Sequence, residues 1–562
     1  MGAISKPQSG PATEDKSTNS YISGQEFKKL VEAGTEWLKT NQQTVNSLNV
    51  FPVPDGDTGT NMLLTMQAAY NEISTSGDEN IGKIAYKVAQ GALMGARGNS
   101  GVILSQLWRG FSRALDNLET MDSALLVKAM NEAKSTAYKG VVRPVEGTIL
   151  TVAKDVAAGV EEKAKSTSDL VEILETMVSI ADESVSHTPE LLPILKQAGV
   201  VDSGGKGLFY ILEGMLRYIK GQSLETQTAN VQPLSALAKF DETMEEIEEG
   251  QDYEVVIDFR PHQPLDLDHF YSHLSTIGTS IQLGEGDGMY RLHIHVPEEN
   301  LHEPVKLIRS MGVFLKETTE NLRAQMADVE KAQKPKIALA PVQPDHIAVV
   351  AVSPGIGISR IFASLGANAI VEGGQTMNPS TEEILQAFEN LPTDKIIILP
   401  NNKNIILAAQ TASTVTVKKV KVIPCKSVPQ GLSAILRFNP EGDLDEIYQE
   451  MQEAIQEVET GEITIATRSV DINGVHVSQG QVIALHNGTL IAASESLEEA
   501  CLQLLKTANT QDRERITLFY GSNISRQEVD QIVDQIRETY PSHEIELHEG
   551  GQPYYQFIIA IE

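Results

Sequence analysis

Cysteine is almost missing from this sequence, with only Cys425 and Cys501 among 562 residues. The two stand far apart, each inside an apolar stretch, so we expect buried thiols rather than a disulfide or a cysteine metal cluster. Long apolar runs are also missing, and none approaches the roughly 20 residues of a membrane-spanning helix. We therefore expect no integral membrane segment and no signal peptide, and we predict a cytoplasmic protein.

Basic residues are scarce compared with acidic ones. There are 45 Lys and Arg against 76 Asp and Glu, which gives a net charge of −31. Nucleic acids and anionic membrane surfaces select basic proteins, so we expect neither as a partner.

The chain is too long for a single core, and its pattern changes along its length. Residues 1–22 are polar and are predicted to form a disordered tail. Residues 23–221 show apolar side chains at helical spacing, as in Phe27, Leu30 and Val31, which predicts an all-helical domain of eight or nine helices.

Strand patterns begin after a polar stretch at 222–238. Residues 222–334 are predicted to contain this linker and a small α/β domain, with strands at 253–259 and 289–296. A proline-rich linker follows, and residues 345–562 alternate between strand and helix, which predicts a mainly parallel sheet. Hairpin signals stand at Asn473-Gly474 and Asn487-Gly488. The expected fold class is thus multidomain, with an all-α domain followed by two α/β domains.

Two aspartates, Asp55 and Asp57, are separated by one glycine just before a predicted helix at 62–73. Two nearby prolines prevent a helix in the loop itself, and Thr60 is the predicted N-cap. Both carboxylates can face one ion, and Mg²⁺ prefers such oxygen ligands together with phosphate oxygens. The helix start would add free amide donors for an anion.

Two other interpretations of this loop were weighed. A calcium loop fails because Met66 stands where a bidentate Glu is required. An ordinary Asx turn before a helix remains an alternative on local grounds.

A second glycine-rich stretch, 91–101, precedes another apolar helix. Its glycines would let backbone amides approach phosphate, and Asn99 or Ser100 could cap the helix and touch the ligand. Tight helix packing through glycine is the alternative for the stretch, and for Arg97 a solvent or packing role is the alternative to a catalytic one.

A third stretch, 199–207, resembles a Walker loop only superficially. Five residues rather than four separate Gly199 from Gly205, and Gly207 stands where Ser or Thr should be. Asp202 could line a pocket or simply cap the following helix.

These elements in this order resemble a known family. The stretches that carry the resemblance are 49–61, 95–101, 143–148, 202–207, 373–380 and 429–431. They look like the nucleotide-binding domain shared by dihydroxyacetone kinase and the catalytic subunit of bacterial fatty acid kinase. The second family is the closer match, and its resemblance covers nearly the whole chain.

The resemblance implies a helical barrel, similar to the DhaL domain, that binds ATP with two magnesium ions. Asp55 and Asp57 would be the metal ligands, and Asn49 would stand where dihydroxyacetone kinases carry a further aspartate. The residues implied to contact the nucleotide are Thr58, Gly59, Thr60, Asn61, Gly98, Asn99, Ser100, Gly101 and Asp202.

The resemblance also implies the reaction and the partners. A separate acyl-binding protein of the DegV-like kind would present a fatty acid, whose carboxylate becomes an acyl phosphate for phospholipid synthesis. The C-terminal domain resembles that partner and would dock it, and relatives are homodimers. A carboxylate is already ionised near neutral pH and needs no general base, so catalysis reduces to positioning and charge neutralisation, to which Arg97 or Arg143 could contribute.

In the family, a zinc ion in the middle domain is held by one cysteine and a His-x-His pair. Here His293 and His295 keep the pair, and Glu254 stands in place of the cysteine. Strand alternation puts both histidines on one face, and a carboxylate can bind zinc. The alternative is two histidines on a half-buried strand.

Three functions remain from the sequence. The first is a fatty acid kinase subunit that depends on an acyl-binding partner. The second is a kinase acting on dihydroxyacetone or a similar small molecule without a partner. The third is a regulatory protein that binds nucleotide without turnover.

Overall fold

The computed structural model describes residues 21–48, 50, 53, 56–141, 143–224, 232–233, 252–263, 265–286, 289–321, 337–374, 378–472, 474–508, 510 and 513–562. The chain divides into two compact units, one of residues 1–224 with 337–562 and the other of residues 225–336. The predicted first and third domains, 23–221 and 345–562, therefore belong to one unit. Nearly all of the predicted disordered tail lies outside the described residues.

The N-terminal region is helical because its apolar residues recur every three or four positions and its helices are well capped. Ser23 and Glu26, for example, form a reciprocal capping box at the first helix. Between residues 21 and 224 the described helices are α1 (Gly24–Thr40), α2 (Gln42–Asn46), α3 (Thr58–Ser74), α4 (Ile81–Met94), α5 (Gly98–Ala114), α6 (Ser123–Lys139), α7 (Ile149–Lys163), α8 (Leu170–Leu191), α9 (Pro193–Ala198) and α10 (Ser203–Ile219).

Eight of these helices are long, in agreement with the predicted number, and α2 and α9 are short additions. Their apolar faces meet in one core, where the rings of Phe27 and Phe111 stack at 5.5 Å between centroids. Two-residue strands, β1 (Ile22–Ser23) and β2 (Thr120–Met121), pair at the edge of the bundle. Ile22, predicted as part of the tail, is therefore ordered through this pairing.

The second unit is a small α/β domain, as predicted. Its described strands are β3 (Gln232–Pro233), β4 (Tyr253–Pro261), β5 (Thr279–Gly286), β6 (Met289–Val296) and β7 (Gly312–Asn321), and its helices are α11 (Leu267–Leu274) and α12 (Glu303–Met311). The sheet order is β3-β5-β6-β4-β7. All of its pairings except β3 with β5 are antiparallel, and Phe259 and Phe270 lie in its core.

The C-terminal region begins with the predicted parallel sheet. Its strands β8 (Ile347–Ser353), β9 (Ala369–Glu372), β10 (Lys395–Leu399) and β11 (Lys419–Val422) are all parallel, in the order β11-β10-β8-β9. Every residue of β8 is buried, as expected for a strand covered on both faces. The helices around it are α13 (Ile356–Ser364), α14 (Thr381–Glu389), α15 (Ile406–Thr414), α16 (Val428–Ile435) and α17 (Leu444–Ala454).

A second sheet of six strands follows, and it is mixed rather than parallel. Its order is β16-β15-β12-β19-β17-β18, and β13 and β14 form a separate hairpin. The remaining elements are β12 (Glu459–Ile465), β13 (Val470–Ile472), β14 (Val475–Val477), β15 (Val482–His486), β16 (Thr489–Ser494), α18 (Leu497–Thr507), β17 (Arg515–Tyr520), α19 (Arg526–Thr539), β18 (Glu544–Glu549) and β19 (Tyr555–Ile561).

Both predicted turn signals join antiparallel strands. Asn487 and Gly488 have φ values of 49° and 76°, which fits a two-residue hairpin turn that needs positive φ at both positions. Gly474 has a φ of 79° between β13 and β14, and Asn473 lies outside the described residues.

The two cysteines are buried and unpaired, as predicted. Burial raises the pKa of each thiol to about 12, which makes both unreactive at neutral pH. Within the described part of the chain, no helix combines the length and the apolar character needed to cross a bilayer.

Candidate functional site

Asp57 stands immediately before α3, which begins at Thr58. The predicted N-cap, Thr60, is therefore wrong: the helix starts earlier, and Asp57 occupies the N-cap position without a capping hydrogen bond from its side chain. The amides of Gly59 and Thr60 donate instead to Oδ1 of Asn46, at 2.7 and 3.2 Å. Because Asn46 caps the helix, the carboxylate of Asp57 can serve other partners.

The role of Asn46 also corrects the expectation of free amide donors at this helix start, since two of those amides are already used. The hydroxyl of Thr60 is held as well, by Nε2 of Gln42 at 2.8 Å and Nδ2 of Asn46 at 3.1 Å. A Cβ on Gly59 would lie 2.4 Å from the carbonyl oxygen of Gln42, so this position requires glycine. We did not predict Gln42 or Asn46, which lie outside the aspartate motif.

The second glycine-rich stretch lies against the first. Gly98 has a φ of 57°, and a Cβ there would stand 2.7 Å from Nδ2 of Asn61. A Cβ on Gly101 would stand 2.4 Å from Oγ1 of Thr65. Glycine at 101 thus allows α5 to pack closely on α3, which supports the helix-packing interpretation for that residue and also brings the two motifs together.

Helix α5 begins at Gly98, with Arg97 at its N-cap position. Asn99 and Ser100 therefore lie in the first turn, and the prediction that one of them caps the helix is wrong. Asn99 is exposed, and its Nδ2 reaches Oδ1 of Asn404 at 3.5 Å.

The third motif joins the same cluster through Ser203. Its hydroxyl lies 3.2 Å from Oγ1 of Thr58 at the start of α3. Asp202 caps α10 by accepting a hydrogen bond of 2.6 Å from the amide of Gly205, which confirms the capping interpretation. Desolvation raises the pKa of Asp202 to about 6, against the opposing effect of the hydrogen bonds from the amides of Gly205 and Ile149.

Not every predicted site residue can be placed. Asp55 and Asn49 lie outside the described residues. The pairing of Asp55 with Asp57 as metal ligands therefore stays a prediction, as do the nucleotide contacts of the glycine-rich stretches. Arg143 is exposed on the segment before α7.

Arg97 points to the C-terminal region. Its two terminal guanidinium nitrogens pair with the two carboxylate oxygens of Glu383 at 3.1 and 3.2 Å, and one of them also donates to the carbonyl of Asn378 at 3.0 Å. Burial raises the pKa of Glu383, but the hydrogen bonds from Ser380 and the charge of Arg97 outweigh it, so this pKa lies below its ordinary value. In this structure, Arg97 links two regions of the chain, and its catalytic role stays a prediction.

The C-terminal region also holds the loop that carries the aspartates. A guanidinium nitrogen of Arg468 donates to the carbonyl of Val50 at 2.5 Å, and the hydroxyl of Thr467 donates to the carbonyl of Val53 at 3.3 Å. The side chain of Val53 is 4% exposed and packs in an apolar cluster with Val470 and other residues near the β13–β14 hairpin. The loop before Asp57 is therefore anchored from outside the helical bundle.

The predicted metal ligands of the second unit meet on its sheet. Strands β4 and β6 are neighbours, and Glu254 is directly opposite His295. Nε2 of His293 lies 3.1 Å from Nε2 of His295, and Nδ1 of His293 lies 3.3 Å from Oε1 of Glu254. All three residues offer a ligand atom within 4.8 Å of one another, an arrangement that fits a zinc ion with one further ligand.

Comparisons with known proteins agree with these motifs. A family described as FakA-like, which models the C-terminal part of fatty acid kinase proteins, matches residues 348–562, and the DAK2 domain matches residues 52–217. Protein YloV from Bacillus subtilis is 38% identical over 551 residues, which cover 96% of this chain and 99% of that protein. The chain belongs to the FakA-like fatty acid kinase family.

Two solved structures resemble parts of this FakA-like protein. One is a DegV family protein from Thermus thermophilus, described for its fatty acid binding, with 14% identity and a TM-score of 0.30; the match covers 39% of this chain and 99% of that one. The other is the dihydroxyacetone kinase from C. freundii in complex with AMP-PNP and Mg²⁺, with 16% identity and a TM-score of 0.28; the match covers 38% of each chain.

Proposed function

We propose that this chain is the ATP-binding subunit of a fatty acid kinase. It would transfer the γ-phosphoryl group of ATP to a fatty acid carboxylate, which a separate DegV-like acyl-binding protein presents, to give an acyl phosphate for phospholipid synthesis. The observation that carries the proposal is the convergence of three motifs at the start of α3, where Thr58 meets Ser203 and Asn61 meets Gly98. We place the reaction in the cytoplasm.

The proposed chemistry asks little of the side chains beyond positioning. A carboxylate oxygen of the fatty acid forms the new bond to the γ-phosphorus, and ADP leaves with the electron pair of the broken bond. Asp57, with Asp55, would hold Mg²⁺, which offsets the charge of the phosphates when it is bound. The backbone around Gly98 would lie close to the phosphates, where a side chain would block their approach.

The first experiment mixes the purified chain with Mg²⁺, labelled ATP and oleate, with and without an acyl-binding partner from the same cell. We expect acyl phosphate only when the partner is present. Asp57→Asn should keep the fold, because Asn46 rather than Asp57 caps α3, but should abolish metal-dependent turnover. Full activity of that variant would overturn the role of Asp57.

The same experiment separates the alternatives. Phosphorylation of dihydroxyacetone without any partner would favour a small-molecule kinase. ATP binding without transfer to either acceptor would favour a nucleotide-binding regulator.

A zinc ion in the second unit is also proposed, because Glu254, His293 and His295 bring their ligand atoms together. Metal analysis of the purified full chain should find about one zinc per chain, and His293→Ala should lose it. Glu254→Cys should retain zinc, since it restores the ligand that the family carries. An unchanged zinc content in His293→Ala would refute the site. The proposed homodimer can be tested on the same samples by measuring mass with and without a chelator.

A further inference from the structure

The stretch 373–380 carries part of the family resemblance, yet the proposed reaction gives it no role. Asn378 lies within it and is 2% exposed. It reaches across to the start of α3, where its Nδ2 donates to Oδ2 of Asp57 at 2.5 Å. The two residues are 321 positions apart in the chain, so this contact joins the C-terminal region to the predicted metal ligand.

The orientation of this amide follows from chemistry. Turned the other way, its oxygen would face a carboxylate oxygen at the same short distance, and the two acceptors would repel. The nitrogen therefore faces Asp57. The other atom, Oδ1, is buried and finds no hydrogen-bond partner among the described residues. A buried amide oxygen without a partner is costly, and a ligand bound beside Asp57 would satisfy it.

The surroundings of Asn378 belong to the nucleotide motifs. Its Nδ2 lies 3.5 Å from the position that a Cβ on Gly98 would take, and Nδ2 of Asn61 lies 2.7 Å from that same position. The backbone carbonyl of Asn378 is fixed by Arg97 at 3.0 Å. The side chain is thus held at the point where the aspartate loop and the second glycine-rich stretch meet.

We propose that Asn378 is a positioning residue of the metal–nucleotide site, supplied by the C-terminal region. Its Nδ2 fixes the orientation of the Asp57 carboxylate, and its Oδ1 offers an oxygen to the hydrated divalent cation or to the nucleotide that Asp57 holds. The inference rests on the proposed function, because it assigns Asp57 to the metal. It implies that the helical bundle alone is an incomplete site.

The test measures Mn²⁺ binding to the full chain by electron paramagnetic resonance, with ATP and without an acceptor, so that no turnover is needed. Asn378→Leu removes both the donor and the acceptor, and we expect Mn²⁺ binding about tenfold weaker, the usual effect of losing a hydrogen bond to a charged group. Asn378→Asp places a second carboxylate beside Asp57, and we expect tighter binding, since a cation relieves the repulsion between them.

Glu383→Gln is the matched control. It weakens the ion pair with Arg97 at the same contact between regions, keeps an acceptor for the amide of Ser380, and leaves Asp57 untouched. It should lower thermal stability without changing the Mn²⁺ affinity. If Asn378→Leu misfolds by circular dichroism, Asn378→Ser replaces it.

Opposite shifts in the leucine and aspartate variants would support the inference. Unchanged Mn²⁺ affinity in both, or an equal loss in both that follows their melting temperatures, would show that Asn378 only joins the two regions. Failure of the proposed function looks different, because the wild-type chain would then bind no Mn²⁺–ATP or transfer no phosphoryl group to a fatty acid.

Discussion

At the scale of single residues, Asp202 combines a structural role with an unfavourable environment. Its carboxylate caps α10 through the amide of Gly205, yet desolvation raises its pKa from 3.8 to about 6. The folded chain therefore holds this proton more tightly than the unfolded chain does. The corresponding contribution to stability is complete below about pH 3.8 and is lost as the pH rises through about 6.

Asp202→Asn should remove this loss, because an asparagine caps a helix almost as well and has no charge to desolvate. At pH 7 we expect its free energy of unfolding to exceed that of the wild type by about 1 to 3 kcal/mol, and at pH 3.5 we expect the two to agree. Urea unfolding at the two pH values measures the difference. Equal stability at pH 7 would mean that the carboxylate is not desolvated in the folded chain.

How far the site could be predicted depends on where each residue comes from. Asp57, Gly98 and Asp202 stand in recognisable local patterns, and the sequence was sufficient to select them. Asn46 and Asn378 were missed because their importance comes only from what they touch, across 13 and 321 positions of the chain. A lone asparagine carries no signal of its own, since its amide can bond to almost any polar partner.

At the scale of elements, the close contact between α3 and α5 depends on glycine. Oγ1 of Thr65 occupies the space that a Cβ on Gly101 would need, at 2.4 Å. Since both helices begin in nucleotide motifs, the spacing between them also sets the distance between Asp57 and the backbone at Gly98.

Gly101→Ala should destabilise the helical bundle by about 1 to 3 kcal/mol, because the added methyl group overlaps Thr65 in a packed interior. Combining it with Thr65→Ala should recover part of that loss, which a double-mutant cycle of thermal unfolding measures. Gly77→Ala is the control, since a Cβ there meets nothing within 4 Å. Additive effects of the two changes at positions 101 and 65 would show that they do not compete for space.

The elements themselves were largely predictable. Strand β10 was expected at 395–399 and is found there, and β8 is shifted by one residue, because buried apolar runs bounded by turn residues leave few choices. The second C-terminal sheet is different: its mixed order is set by long-range pairing, and no local pattern places β19 between β12 and β17.

At the scale of the whole molecule, the helical bundle and the C-terminal region form one unit, although a linker, a separate domain and more than a hundred residues lie between them in the chain. The ion pair of Arg97 with Glu383 is one of the bonds between them. The backbone hydrogen bond from Thr381 to Ala96, at 3.1 Å, lies beside it.

Arg97→Glu and Glu383→Arg should each lower the melting temperature, because each places like charges together at this contact. The double variant should recover most of the loss. The two side chains are 27% and 48% exposed, so we expect each single change to cost only about 1 kcal/mol. Lys165→Glu, at a pair that is 65% and 78% exposed, should have almost no effect and serves as the control. No recovery in the double variant would mean that the ion pair does not join the regions in solution.

The anchoring of the aspartate loop by Arg468 also has a consequence for how the protein is made. The carbonyl of Val50 leaves the ribosome 418 residues before the side chain that holds it. The sheet next to Arg468 is completed later still, since β19 lies at its centre and follows all of its partner strands in the chain. During translation the helical bundle can therefore fold early while its aspartate loop waits, so the newborn chain should acquire a finished nucleotide site only after residues 555–561 have emerged.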